Sequence, residues 1–560
     1  MAQQPSIALH PAIRAYFQQR GMVDEEEIAT YLLPTLAELP DPSLLHSMRQ
    51  AVALIVQALE EQWDILVWGD YDVDGITATA LLVHFFQDLG VAVQHHIPNR
   101  LTEGYGLNKR RLTSLAEQMK ARKLLITVDC GIANHLEVHM AKKLGFEVIV
   151  TDHHNLAGSL PAAGAVINPK QRDCTFPGKE LAGVGVAFYL AAAVRSKLNK
   201  HGNKESSKIN LKSFLDMVSI GTIADVMPLV GINRVLAKGG FEVLGQGRRK
   251  GISFLLHELG LNPTLMSGEN VSFQIAPVIN AAGRLGQPEV ALELLLCQDE
   301  GLLKRLTDQL IELNTKRKEL ALRDLENALS MVDSLSIERH KCIVVSGPFH
   351  EGILGITAAR LVELFRVPAL VCTQTENADG LLKGSARAPL GFHLYEAMER
   401  CRSCLHSFGG HAAAAGFSVQ KEALPSLLRD FAAVANEDGV RNDRLSTEMR
   451  PLPLTIDEAL DRRLLHNLAQ LEPTGEGNPK PIFYDDRVML VSLSRFGRDK
   501  EHFRALVRGR YQNVPVIGFG LGDKAADIDT SSSCVLSYTH MIDSYNGKTS
   551  WKIRAENIWQ

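Results

Sequence analysis

The hydrophobic positions fall into alternating rhythms over the first third of the chain. From Leu44 to Gln62 they recur at helical spacing, and Ile65-Leu-Val-Trp68 is then an unbroken apolar run. Ile76 to Leu89 reads as a helix and Val91 to Ile97 as a strand. The alternation continues through a strand at 123–128, a helix at 134–144, a strand at 146–151 and a short strand at 165–168. Unbroken apolar strands alternating with helices predict an α/β domain whose parallel sheet is covered on both faces. Such sheets gather ligands at the carboxyl ends of their strands. Residues 180–290 read as mostly helical. The charged stretch from Pro288 to Val332 predicts either one long connecting helix or two helices broken near Gly301.

A second, smaller α/β pattern occupies residues 341–436, with strands at 342–346 and 368–372 around a helix from Ile353 to Phe365. Residues 452–560 hold five short strand-like runs: 488–493, 503–507, 514–519, 535–538 and 551–555. That spacing suits a small β-barrel such as an OB-fold. The expected fold class is therefore multidomain α/β. It divides into a short helical lead at 1–43, a parallel-sheet domain with a helical extension at 44–290, and a connecting helix at 291–335. A smaller α/β domain at 336–440 and an OB-fold barrel at 450–560 complete it.

A chain of 560 residues is too long for one core, in line with that division. Hydrophobic residues make up 45% and charged residues 22%, the proportions of a soluble globular protein. No apolar run reaches the roughly 18 residues that span a bilayer, so no membrane partner is expected. The start, MAQQPSIALHPAIRAYF, has no basic residues followed by an apolar stretch, and eight scattered cysteines suit a reducing compartment. A cytoplasmic location is the expectation. With a net charge of −4 and a pI near 6.6, any nucleic-acid ligand must be met by local arginine and lysine placement.

The candidate chemistry sits where the apolar strands end. Asp70, Asp72 and Asp74 lie in GDYDVDG directly after the first strand. Three carboxylates so close repel one another unless a positive charge lies between them. The segment is not an EF-hand, because its twelfth position is Leu81, not Glu, and an apolar helix follows. Asp129 in TVDCG ends the next apolar strand, and Asp152-His153-His154 ends the one after it. Asp225 interrupts the apolar run GTIADVMPL. Taken singly, the Asp70–Asp74 cluster also reads as a solvated acidic turn, Asp129 as a helix cap, the Asp152–His154 trio as a polar loop, and Asp225 as a buried hydrogen-bonded acid. Together they bring carboxylates and imidazoles from successive αβ units to one end of one sheet. Carboxylates and imidazole suit Mn2+ and, for the harder ligands, Mg2+. The set is large enough for two divalent ions, a common device for phosphoryl transfer through an activated water.

DYDVDG, VDCG, DHH and the later IAD, in that order, resemble the motifs of the DHH phosphoesterase family. The resemblance implies that Asp74, Asp129, His153 and Asp225 hold one metal ion, with Asp129 bridging and Asp70 and Asp72 on the second. It implies that hydroxide attacks phosphorus in line, with His154 as a phosphate contact and proton donor, not a ligand. Three further stretches resemble the single-strand-specific exonuclease branch of that family: the segment Phe349–Arg360, Gly384-Ser-Ala-Arg387, and Gly409-Gly-His-Ala-Ala-Ala-Ala-Gly416. Pro98–Gly106 and Asn280-Ala-Ala-Gly-Arg284 fit the same branch.

Arg100, Ser385 and Arg387 are thereby implied at the 5′ end of a strand and Arg284 near the scissile phosphate. His350, Gly410 and His411 complete the implied substrate contacts. Read alone, the arginines also fit surface ion pairs, and GGHAAAAG fits a tight turn into an alanine-rich helix. Glu472–Phe483 resembles the branch's lead into its barrel, although an aromatic is expected where Thr474 stands. On the barrel, Phe496, Arg498, Lys500, Phe503 and Arg504 are candidates for strand binding, or ordinary barrel residues. Cys401-x-x-Cys404 lacks a second pair to complete a zinc site and reads as structural.

The resemblance implies 5′→3′ hydrolysis of single-stranded DNA to mononucleotides in repair and recombination. It implies a monomer working beside a helicase and a single-strand-binding protein. A phosphodiesterase for very short oligonucleotides and a non-catalytic replication scaffold stand as rivals. The C-terminal barrel speaks against the first and the complete acidic set against the second.

Overall fold

In the computed structural model, described for residues 8–156, 158–374, 380–438, 450–545 and 548–560, three sheets carry the chain. The first has the order β2-β1-β3-β4-β5 and is parallel throughout. Its strands are β1 (Asp64–Trp68), β2 (Gln94–His96), β3 (Lys123–Val128), β4 (Phe146–Thr151) and β5 (Ala165–Ile167). β3 is buried at every position, as a sheet covered on both faces requires. The run expected from Val91 to Ile97 shortens to the edge strand β2, whose first two residues face solvent.

The helix Val73–Asp88 is buried almost all round. The helices Gly183–Lys200 and Leu215–Ala224 wrap its outer side, which is why its sequence shows no polar stripe. It begins three residues earlier than its apolar pattern suggests, so Asp72 caps it and Asp74 lies in its first turn. Gly75 permits this start: a Cβ there would come within 2.5 Å of the Asp70 backbone nitrogen.

The charged stretch after Pro288 forms two helices, Pro288–Leu296 and Glu300–Met331. The break comes at 297–299, where Asp299 caps the second helix, and Gly301 sits inside it. That 32-residue helix connects to the second sheet, ordered β6-β7-β8-β10-β9. Its strands are β6 (Ile343–Ser346), β7 (Ala369–Gln374), β8 (Leu381–Arg387), β9 (Ser407–Gly410) and β10 (Ala414–Gln420). GGHAAAAG therefore forms a β-hairpin, not a turn into a helix. Pairing of Ala414, Ala415 and Gly416 with Arg387, Ala386 and Ser385 overrides the helical preference of alanine.

The third sheet is a seven-stranded barrel layer running β11-β12-β16-β17-β15-β14-β13. Its strands are β11 (Leu452–Pro453), β12 (Phe483–Val488), β13 (Leu490–Phe496), β14 (His502–Val507), β15 (Val514–Gly518), β16 (Cys534–Tyr545) and β17 (Lys548–Trp559). β11 and β12 carry no clear apolar alternation and escape a pattern-based reading. The N-terminal helices Pro11–Gln19 and Glu25–Leu32 pack into this barrel's core through Ile13, Tyr16, Phe17, Ile28 and Leu32. Tyr16 donates to the Pro479 carbonyl at 2.8 Å and Arg20 to Asn478 Oδ1 at 2.9 Å.

Arg234, 2% exposed, ties the barrel to the first lobe. Its guanidinium donates to the carbonyls of Tyr31 (2.6 Å), Leu471 (3.1 Å) and Gln470 (3.3 Å) and lies 4.0 Å from the Tyr31 ring centroid. The last two carbonyls close the helix Arg462–Leu471, whose C-terminal end attracts cations. Thr474, at the position where the family pattern has an aromatic, is buried, and its N–H donates to Glu472 Oε2 at 2.7 Å. The eight cysteines are free, and Cys401 and Cys404 terminate a helix in the second lobe.

Candidate metal centre

The acids and imidazoles singled out in the sequence converge at the carboxyl edge of the first sheet. Asp70 follows β1, Asp129 follows β3, and Asp152, His153 and His154 follow β4. Asp225 caps the C-terminal end of the helix Leu215–Ala224. Asp129 is held at φ +60°, a left-handed conformation that aspartate tolerates better than most residues. Val226, directly after Asp225, is at φ +56°, a strained value for a β-branched residue beside a functional group.

Two clusters arise. Asp70, Asp72 and Asp129 bring ligand atoms within 4.8 Å of one another, and so do Asp74, His153 and Asp225. His153 Nε2 lies 3.1 Å from Asp129 Oδ1, 3.4 Å from Asp225 Oδ2 and 3.8 Å from Asp74 Oδ2. Yet Asp70 Oδ1, Asp129 Oδ1, Asp225 Oδ2 and His153 Nε2 are buried without a hydrogen-bond partner. Buried polar atoms are ordinarily satisfied. Four orphaned ligand atoms facing one another fit divalent cations, and the oxygen–imidazole donor set fits Mn2+ or Mg2+.

Asp74 differs from the rest, because both its oxygens already accept N–H groups. Gly183 donates to Oδ2 at 2.6 Å and Val184 to Oδ1 at 2.8 Å, at the start of the helix Gly183–Lys200. Gly183 allows the approach, since a Cβ there would stand 2.6 Å from Asp129 Oδ1.

The electrostatics show the load this cluster carries without cations. Burial, and then the charge of Asp72, pushes Asp74 up to about 7. Burial, followed by Asp74 and Asp72, pushes Asp225 up to about 9. Asp70 and Asp129 are raised well above the carboxylate range by burial and then by neighbouring acids. Burial, then the charge of His154, lowers His153 to about 3, leaving the neutral imidazole that ligates metals.

Asp152 plays a different part. Its side chain is fully buried, and Oδ2 accepts the Ile132 N–H at 2.9 Å. Oδ1 accepts the N–H groups of His153 (2.7 Å) and His154 (3.0 Å) and His154 Nδ1 at 2.7 Å. Burial disfavours a charged His154, but the hydrogen bond and charge of Asp152, with Asp225 and Asp72, outweigh it and raise His154 to about 9. Asp152 thus orients the His154 ring through Nδ1 and favours its protonated form.

Arg100 lies 5.2 Å from the Tyr71 ring centroid. Arg284 ends the helix Ala276–Arg284 and donates to the Gly352 carbonyl at 3.2 Å, joining the two lobes. Asn280, in the same helix, accepts the Val73 N–H and so braces the acidic loop, a role its sequence position did not signal. Arg387 Nη1 donates to Ser385 Oγ at 3.0 Å. Burial, and then the positive charge of Arg100, lowers both Arg284 and Arg387 to about 10. None of Arg100, Arg284 and Arg387 has a carboxylate within ion-pair distance among the described residues. His350 accepts the Gly352 N–H on its Nδ1, and Gly410 and His411 lie exposed at the hairpin tip. On the barrel, Phe503 is fully buried beneath Gly518 and belongs to the core, whereas Arg498, Lys500 and Arg504 are exposed. No helix among the described residues is long and apolar enough to cross a membrane.

Residues 64–222 match the DHH family N-terminal domain, 340–437 the DHHA1 domain and 452–557 the RecJ OB domain. The chain is 34% identical to the single-stranded-DNA-specific exonuclease RecJ of Dickeya dadantii (strain 3937), over 99% of this chain and 96% of that one. It is also 34% identical to the RecJ of Escherichia coli (strain K12), over 98% and 96%. The RecJ of Bacillus subtilis (strain 168) is 33% identical, and there the chain spans 66% of the longer relative. Among solved structures, RecJ from Thermus thermophilus in complex with Mn2+ aligns with a TM-score of 0.79 at 31% identity, covering 99% of this chain and 76% of that one. Its Mg2+ complex aligns at 0.73.

Proposed function

The chain belongs to the RecJ family of single-stranded-DNA-specific exonucleases, and from that premise we propose that it removes mononucleotides from the 5′ end of single-stranded DNA during repair and recombination. One observation carries the reading: four buried ligand atoms of an acidic basin have no hydrogen-bond partner, and the charge of Arg100 reaches one of those acids, Asp70. Asp70, Asp72 and Asp129 would hold one Mn2+ or Mg2+, and Asp74, His153 and Asp225 the other, with Asp129 shared. Such ions supply an activated water and offset charge on the phosphate oxygens.

The remaining work falls to the chain itself. Arg284, beside the basin, orients the scissile phosphate through its planar fork. Arg100 from the first lobe, and Ser385, Arg387, the exposed backbone at Gly410 and the His411 ring from the second, hold the 5′ end. His350 positions this wall, since its ring accepts the Gly352 N–H beside the Arg284 contact. His154, kept protonated by Asp152, donates from its free nitrogen to the departing oxygen. A passage between the lobes too narrow for duplex would make the enzyme, as a monomer, depend on a helicase and a single-strand-binding protein to supply and present the strand.

A nuclease assay with Mn2+ on single-stranded, duplex and RNA substrates, labelled at either end, tests this. Release of labelled mononucleotide from the 5′ end of single strands is expected. Asp129→Ala should abolish it while sparing DNA binding, and full activity in that variant would refute the site.

A further inference from the structure

The connecting helix Glu300–Met331 has a charge run that the function described so far does not use. Asp324 on this helix is fully buried and accepts the His350 N–H at 2.8 Å, docking the helix onto the loop that carries Gly352. Gly352 in turn accepts Arg284. Arg317 lies seven residues before Asp324, two helical turns along the same face. Its Nε and Nη2 both donate to Asn314 Oδ1, at 3.1 and 2.9 Å, and Asn314 is itself 9% exposed. The guanidinium is thereby pinned by a neutral amide, with no carboxylate within ion-pair distance among the described residues. The connecting helix packs along the helix Ala276–Arg284 that ends in Arg284, and the charge of Arg317 is felt at Arg284 with those of Arg100 and Arg387. A fourth half-buried arginine brought to a cationic cluster raises its self-repulsion, and an anion relieves it.

We propose that Arg317 is a further strand-positioning residue: it binds a backbone phosphodiester of the entering single strand next to the one held by Arg284. This rests on the exonuclease reading and extends the substrate track onto the connecting helix. Arg317 bears on grip rather than chemistry, so its loss raises KM for long strands and leaves kcat unchanged.

Binding of a 5′-phosphorylated dT20 to the full-length protein in EDTA, measured across a salt series, tests it. Each phosphate neutralised contributes about 0.7 to the slope of log affinity against log salt for a single strand. Arg317→Gln should lower that slope by about 0.7 and weaken binding several-fold, while Arg317→Lys should keep the slope. Asn314→Ala, which unpins the guanidinium, should weaken binding with the slope retained. Turnover of the dinucleotide pdTdT in Mn2+ should be unchanged in all three. An unaltered slope and affinity in Arg317→Gln would overturn the proposal, as would an equal loss on pdTdT, which would place Arg317 at the reacting nucleotides. A 5′-hydroxyl dT20 that loses the Arg317 contribution would assign the residue to the terminal phosphate and also overturn it. Failure of the unaltered protein to release nucleotides from dT20 in Mn2+ would refute the exonuclease reading instead.

Discussion

Replacing Asp129 with asparagine should make the metal-free protein more stable and the metal-loaded protein inactive. Asparagine has the same shape and tolerates the left-handed backbone at this position, so packing against Gly183 is preserved. What changes is charge. Asp129 shares a cluster with Asp70 and Asp72 whose ligand atoms lie within 4.8 Å. At an effective dielectric of about 20, one such pair of charges costs about 3.5 kcal/mol. Proton uptake by the crowded acids caps the total, so the relief from removing one carboxylate is about 3 kcal/mol. For a lobe of this size that is about 10 °C in melting temperature.

The sign with pH follows. An acid whose folded pKa lies above its unfolded value loses stability as pH rises from the unfolded value through the folded one. The advantage of Asp129→Asn should therefore be small near pH 4 and grow toward pH 9. Cations reverse the ranking. At 100-fold excess over its dissociation constant, one Mn2+ adds about 2.7 kcal/mol to the unaltered protein. The substituted amide is a weaker ligand for both clusters, and the variant should gain little. Scanning calorimetry in EDTA and in Mn2+ at several pH values is the assay. A lower melting temperature for the variant in EDTA, or equal Mn2+ shifts in both proteins, would refute the reasoning.

Two further outcomes follow from buried groups remote from this site. Burial lowers His540 to about 4, where its Nε2 meets the Ala459 carbonyl at 2.6 Å inside the barrel. A histidine with a depressed folded pKa contributes its full stability above the unfolded value near 6.5 and loses it as pH falls toward 4. The barrel should lose about 3 kcal/mol over that window, and His540→Gln, followed by urea unfolding, should flatten the dependence. Arg234→Met should cost about 3–5 kcal/mol by orphaning buried carbonyls, with Arg234→Lys recovering only part, since an ammonium lacks the fork. Calorimetry should then show the barrel melting apart from the first lobe, and a single unshifted transition would count against the brace.

The acidic centre was legible because its residues interrupt unbroken apolar strands, and a polar group where a buried strand ends has few purposes other than binding. The same logic singled out Asp225, which the fold places at a helix end. It did not show that Asp74 is tied at both oxygens to a helix 109 and 110 residues away, nor that Asp152 serves His154. The first is a long-range pairing, which periodicity does not encode, and the second turns on side-chain orientation within one loop, which spacing does not encode either. Burial on the barrel stayed open between two readings until the strand pairing was known. Phe503 looks like a stacking aromatic in a basic run, yet strand alternation turns it inward over Gly518, while His502 and Arg504 face out.

The N-terminal lead reads only as a short helical segment because its apolar stripe carries no sign of its partner, which lies about 450 residues downstream in Asn478 and Pro479. Two kinds of site residue therefore differ in visibility. Groups that break an apolar pattern announce themselves. Arg317 interrupts nothing: in a helix rich in lysine, arginine and glutamate it looks like one more solvated charge. Only the fold shows that its guanidinium is held by the Asn314 amide with no carboxylate within ion-pair distance among the described residues, and that is the property that makes it a phosphate contact.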